Sequence, residues 1–312
     1  MRQEEVAGVV APYAPRRAAR AGRVDVRGLA LNVLQWGRPG ARKLFLLHGW
    51  MDVAASFQFL VDELSGDWHA IAPDLRGFGG SEWQPQGYWF ADYVADLEAL
   101  LDAFAPGEAA TIVGHSLGAN VATHYAGVRP DRVSELIAID GFGIPAEQAD
   151  DAPRKYAEWL DALREPPAFS PYADFDAVAG RLRRNDPRLS ADKAAFLARH
   201  WARACDDGKV RLASDPRHKL PFPHVYRLEE VFAVWRRIRA RALWIAAEDS
   251  HIPRWLEGHP EGEGATDSLA GVRARLAHVP GVSLVTVADA GHMVHHDQPR
   301  AVAQAIERFL AA

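Results

Sequence analysis

One cysteine, Cys205, stands in 312 residues, so no internal disulfide can form. Its Arg-Ala-Cys-Asp-Asp surroundings supply no companion metal ligand. Long hydrophobic runs are missing too. No stretch approaches the ~20 apolar residues of a membrane-spanning helix, and residues 1–22, with Arg16, Arg17 and Arg20, hold no apolar signal-peptide core. A cytoplasmic setting is the expectation, with residues 1–22 a solvated tail of no assigned function. An excess of positive charge is also lacking. Lys and Arg number 36 against 41 Asp and Glu, a formal charge of −5, which leaves no basic footprint for a nucleic acid and no partner surface of that kind. No internal repeat is found. The only biased tract is an acidic, glycine-rich loop at Glu257 to Gly264, expected at the surface.

What is present is a large apolar fraction, 48% of the residues, ample for a sizeable core. Short apolar runs at Arg23 to Arg27, Ala30 to Trp36, Lys43 to Leu47, Trp68 to Ala72, Thr111 to Val113, Leu136 to Asp140, Ala242 to Ala246 and Val282 to Val287 read as strands. Continuous runs of this kind suit strands covered on both faces. Between them, helical spacing marks Ala54 to Leu64, Ala91 to Phe104, Leu117 to Val128 and Arg300 to Leu310. Alternation of strand and helix predicts an α/β fold with a mostly parallel central sheet and helices on both faces. The rhythm breaks after the sixth core strand at Gly141-Phe142-Gly143. From there to Ile238 the patterning is helical, which predicts a core of residues 23–142 and 239–312 with a helical cap of residues 143–238 inserted over the strand ends, where ligands of such sheets bind.

Within this frame, Gly114-His115-Ser116-Leu117-Gly118 sits between a strand and a small-residue helix. That is the context of a G-x-S-x-G nucleophile elbow, whose glycines Gly114 and Gly118 let the chain close around a strained serine. Ser116 is the candidate nucleophile. A serine hydroxyl needs a base to take its proton and a carboxylate to orient that base. Downstream, Asp249 follows the strand Ala242 to Ala246, and His292 follows the strand Val282 to Val287. The order Ser116, Asp249, His292 is that of the α/β-hydrolase architecture. Asp140, at the end of the preceding core strand, is the alternative acid. His115 is expected to pack along the turn and not to act as the base. His295 and His296 follow His292 closely, but no carboxylate-histidine spacing typical of a metal site accompanies them, so no metal and no cofactor are expected.

Together with His48-Gly49-Trp50, Asp74-Leu75-Arg76-Gly77 to Ser81, Asp249 to Pro253 and Gly291-His292, these motifs make the chain resemble the α/β-hydrolase-fold serine hydrolases over nearly its whole length. A narrower likeness, to the serine-hydrolase-like proteins, rests on His48-Gly-Trp-Met-Asp52, Ala55-Ser-Phe57, Asp176 to Leu182, Asn185 to Ser190 and Ser214 to Lys219. Ala246 and Ala247 stand where the family commonly has a glycine before the acid segment. The residue after the nucleophile, Leu117, supplies one oxyanion-binding N–H. The resemblance implies a second from Trp50, with His48 and Gly49 shaping that loop and the Asp74, Arg76, Ser81 cluster serving as scaffold. Among ten tryptophans, Trp159, Trp201 and Trp235 fall in the cap and are candidates to line an apolar pocket.

The expected chemistry is hydrolysis of a carboxylic ester of a medium-sized apolar small molecule through an acyl-enzyme. Alternatives are a lactone, a thioester, a carbon-carbon bond next to a ketone, or a non-catalytic binding role on the same fold. Serine at the elbow argues against the alkyl-ester chemistry of epoxide hydrolases and haloalkane dehalogenases, which requires a carboxylate there. The sequence carries no sign of oligomeric state.

Overall fold

A computed structural model describes residues 11–257 and 269–312; apart from Glu257, the acidic loop lies outside the described residues. The chain runs β1 (Arg20–Val26), β2 (Leu29–Trp36), β3 (Arg42–Leu47), α1 (Gln58–Glu63), β4 (Trp68–Pro73), α2 (Phe90–Phe104), β5 (Ala110–His115), α3 (Leu117–Val128) and β6 (Val133–Ile139). There follow α4 (Ala152–Arg164), α5 (Phe175–Asn185), α6 (Ala191–Trp201), β7 (Ala202–Ala204), β8 (Val210–Leu212) and α7 (Leu228–Trp235). It ends with β9 (Arg241–Ala247), α8 (Ile252–Leu256), α9 (Ala270–Leu276), β10 (Ser283–Val287), α10 (Val294–Asp297) and α11 (Pro299–Ala311).

Eight strands form one sheet in the order β1-β2-β4-β3-β5-β6-β9-β10. β1 and β2 pair antiparallel around Arg27-Gly28, both at positive φ, the geometry of a tight hairpin turn. β2 also runs antiparallel to β4, and the remaining neighbours are parallel. The continuous apolar runs have a direct explanation. Phe45 and Leu47, Ile112, Leu136 and Ala138, and Trp244 face the layer containing α2 and α3. Their neighbours Leu44 and Leu46, Val113, Ile137 and Ile139, and Ile245 face the layer of α1 and α11. With both faces covered, period-two side-chain alternation puts successive residues of the central strands into one core or the other.

Three features depart from the expected layout. The residues from Ala11 onward are not a free tail. Tyr13 donates to Asp62 at 2.8 Å, the Arg16 and Arg17 amides donate to the same carboxylate, and the Tyr13 ring packs against Phe59 and Phe196. Strand pairing then starts at Arg20. Within the region expected to be helical, β7 and β8 form a hairpin, closed at Gly208, whose φ of +76° suits glycine. Finally, α7 packs against α3, and Trp235 lies fully buried 5.9 Å from the Trp244 ring. A boundary at residue 238 therefore assigns to the cap a helix that completes the core layer. Among the described residues no helix is long and apolar enough to cross a membrane.

Candidate active site

β5 runs into α3 with a single residue, Ser116, between them. Ser116 sits at φ 51°, ψ −113°, a region non-glycine residues occupy only when the surroundings enforce it. The enforcement is visible on both sides. A Cβ on Gly114 would collide with the Gly118 carbonyl, and one on Gly118 would collide with the Leu47 carbonyl at the end of β3. The Ser116 amide is held by the Ile139 carbonyl at 3.0 Å. Only two glycines allow the strand end and helix start to approach this closely.

Above the strand ends, Ser116 Oγ lies 3.1 Å from His292 Nε2, and His292 Nδ1 lies 2.7 Å from Asp140 Oδ2. A carboxylate accepts the Nδ1 proton, which leaves Nε2 free to accept from the serine. Asp140 follows β6 directly, at φ 45° and 1% exposed. Its carboxylate also accepts from Ser250 Oγ at 2.5 Å and from the Ala247 amide at 3.3 Å, while its own amide donates to Ile245. The His292 carbonyl in turn accepts from His115 Nε2 at 2.9 Å. Burial, reinforced by the neighbouring His292, holds the His115 ring well below the ordinary histidine range, so it is neutral and donates from Nε2. As expected, His115 is a packed residue of the turn.

The structure brings Ser116 and His292 together but not Asp249. The Asp249 amide is tied to the Ala290 carbonyl at 2.9 Å, and its carboxylate, 49% exposed, pairs with Arg188 Nη2 at 2.6 Å. The place beside His292 expected for Asp249 is held by Asp140. The segment after β9 contributes Ser250 and Ala247 as donors to that acid. His251 adds an edge contact 5.3 Å from the His292 ring, and burial lowers its pKa. Ser250 is a site residue that the sequence does not announce, since a serine three residues beyond a strand carries no distinctive pattern.

The His48-Gly49-Trp50 loop follows β3 and lies against the elbow. A Cβ on Gly49 would stand 3.3 Å from Ser116 Cβ. His48 is fully buried, accepts from the Leu75 amide at its Nε2 (2.9 Å) and contacts the Gly49 carbonyl through Nδ1 (2.7 Å), so Nδ1 carries the proton. It pins the loop to the chain after β4. Leu117 is the first residue of α3, where backbone N–H groups lack helical partners. The Trp50 side chain is half exposed and donates to the His218 carbonyl at 3.3 Å.

The polar cluster after β4 is scaffold. Asp74 accepts from the Ala54 and Gly80 amides and from Asn32 Nδ2, while Arg76 forms a buried pair with Asp96. Of the tryptophans expected to line a pocket, Trp235 is corrected outright, being sealed beneath the sheet by α3 and Trp244. Trp201 is turned inward, its Nε1 donating to Asp52 at 3.1 Å. Trp159 on α4 stands 6.5 Å from Trp89. A groove of about 240 Å³ lies between α2 and α3, lined by residues such as Phe90, Val94 and His124, and neither Ser116 nor His292 borders it.

Comparisons with known proteins agree with this fold. A model of the alpha/beta hydrolase family matches residues 44–305. The chain is 27% identical over 306 residues to a serine hydrolase-like protein of Danio rerio, covering 95% of this chain and 89% of that one. It is 29% identical over 292 residues to a 2-(acetamidomethylene)succinate hydrolase of Mesorhizobium japonicum, covering 93% and 95%. The crystal structure of the hypothetical protein PA1622 from Pseudomonas aeruginosa superposes with a TM-score of 0.79 at 26% identity, over 93% of this chain and 98% of the other. The serine elbow, the histidine after the last strand and the matched span together make the chain a member of the α/β-hydrolase family.

Proposed function

We propose that the chain is a serine hydrolase that cleaves a carboxylic ester of a small apolar molecule through an acyl-enzyme. The observation that carries this reading is the unbroken hydrogen-bonded line Ser116 Oγ, His292, Asp140. His292 takes the Ser116 proton as Oγ attacks the ester carbonyl. Asp140 holds the imidazole in the correct tautomer and stabilises its cation. The Leu117 and Trp50 amides meet the negative charge of the tetrahedral intermediate. His292 then protonates the departing alcohol and activates water to release the acyl group. Asp140, not Asp249, is the acid in this reading, because only its carboxylate faces Nδ1. The helices α4 to α6, residues 152–201, bound the substrate's apolar part, and a cytoplasmic setting fits a chain with one cysteine.

Lactones, thioesters and ketone-adjacent carbon-carbon bonds, which the same serine machinery would open, complete the substrate panel. The experiment is hydrolysis of p-nitrophenyl esters of increasing acyl length by the wild type and by Ser116→Ala. Turnover by the wild type with a loss of about 10³-fold or more in the variant supports the reading. An inert wild type, or an alanine variant with wild-type rates, refutes it and favours a binding role.

A further inference from the structure

Behind the elbow, three side chains that the proposed reaction does not use converge. Asp52 follows the Trp50 loop, His115 ends β5 and His295 lies on α10. They are 3%, 1% and 0% exposed. One donor atom from each lies within 4.8 Å of the other two. Two of the three have one polar atom engaged. Asp52 Oδ1 accepts from Trp201 Nε1 and from Ser56 Oγ, and His115 Nε2 donates to the His292 carbonyl. Their remaining atoms, Asp52 Oδ2, His115 Nδ1 and both nitrogens of His295, have no hydrogen-bond partner among the described residues. A single buried polar atom without a partner costs about 1–3 kcal/mol, so three residues contributing them to one spot call for a common occupant.

We infer that Asp52, His115 and His295 form a binding site for one divalent transition-metal ion of the zinc or cobalt type. Two imidazoles and one carboxylate are a donor set for such ions, whereas magnesium and calcium take oxygen ligands. Burial, aided by the surrounding histidines, holds His115 and His295 well below the ordinary range, so both rings are neutral and able to ligate. The engaged outer atoms fix the orientation of Asp52 and His115, as metal sites require. Bonds of about 2.0–2.2 Å would draw the donors closer together than the 4.8 Å limit, a shift within reach of small side-chain rotations. Gly49 carries no Cβ where one would stand 3.0 Å from His115 Nδ1. The ligands come from three separate elements, so no local motif announces them.

The rival occupant is a buried water, and a direct measurement separates the two. Chelator-treated full-length protein is titrated with Zn²⁺ by calorimetry, and the loaded protein is examined by X-ray absorption at the zinc edge. One ion per chain with a first shell of two imidazoles and oxygen is expected. His295→Gln and Asp52→Asn, shown to be folded by circular dichroism, should weaken binding at least tenfold. Absence of stoichiometric uptake overturns the inference and leaves the spot to water. So does a shell containing sulfur, which would mark Cys205, or wild-type affinity in both folded variants. If neither variant folds, the absorption spectrum of the wild type still decides, because a shell without imidazole refutes the site.

Discussion

Asp140 and His292 are 152 residues apart in the chain and meet at 2.7 Å, the carboxylate at the end of β6 accepting the Nδ1 proton of a histidine placed after β10. Ser250 and Ala247, from the end of the intervening strand β9, hold the same carboxylate in place. Asp140→Asn keeps the shape but favours the wrong imidazole tautomer, so kcat on an active ester should fall by about 10³- to 10⁴-fold. Asp249→Asn loses only an exposed pair with Arg188 and should keep kcat within about fivefold. Steady-state kinetics of the two variants decide between them. A large loss in Asp249→Asn with little in Asp140→Asn would reverse the assignment.

The elbow makes a stability claim as well as a catalytic one. Gly118→Ala drives a methyl group into the Leu47 carbonyl. Backbone cannot yield as a flexible side chain can, so a loss of about 1–3 kcal/mol is expected in urea unfolding. A midpoint unchanged from wild type would show that the turn has slack.

Arg76 and Asp96 are both almost completely buried and paired. Arg76→Met leaves the Asp96 charge without its main partner, and a loss of about 3–5 kcal/mol should follow. The double variant Arg76→Met with Asp96→Leu should recover most of that loss. Failure of the double variant to recover would mean that the arginine acts through other contacts, such as Gln84.

A pH-dependent element joins the α5–α6 region to the chain near His292. The Asp186 carboxyl is pushed up to about 6, first by burial and then by the neighbouring Asp297. In the unfolded chain it titrates near 3.9. The folded state therefore favours the protonated form, and this contribution to stability is present below about pH 4 and lost as pH rises through about 6. Asp186→Asn mimics the protonated carboxyl and keeps the acceptor for the Arg188 amide. It should raise stability by about 1–2 kcal/mol at pH 7.5, allowing for solvent screening, and leave it unchanged at pH 4. Melting curves at the two pH values test this, and a variant less stable at pH 7.5 would contradict it.

Most of the sheet was legible because its strands are buried on both faces and read as unbroken apolar runs. The elbow was legible because two glycines bracket one serine beside a strand. His292 could be placed from its position after the last strand. The acid could not, since Asp140 and Asp249 both follow core strands and the choice depends on side-chain direction. Asp249 has its amide tied to Ala290 and its carboxylate drawn out by Arg188, a partner 61 residues away that no local pattern reveals. Trp235 misled for a related reason. Its helical spacing is the same whether α7 covers a pocket or completes the core, and only its packing on Trp244 separates the two.

The most direct test of the central claim is a rapid-quench reaction of the wild type with p-nitrophenyl acetate, followed by mass analysis of the intact chain and of the peptide containing Ser116. An acetyl adduct on Ser116 that forms in the first turnover and is absent from Ser116→Ala is the expected result. Rapid release of p-nitrophenol with no adduct under quench conditions that preserve acyl esters, or an adduct on another residue, would contradict acyl transfer through Ser116.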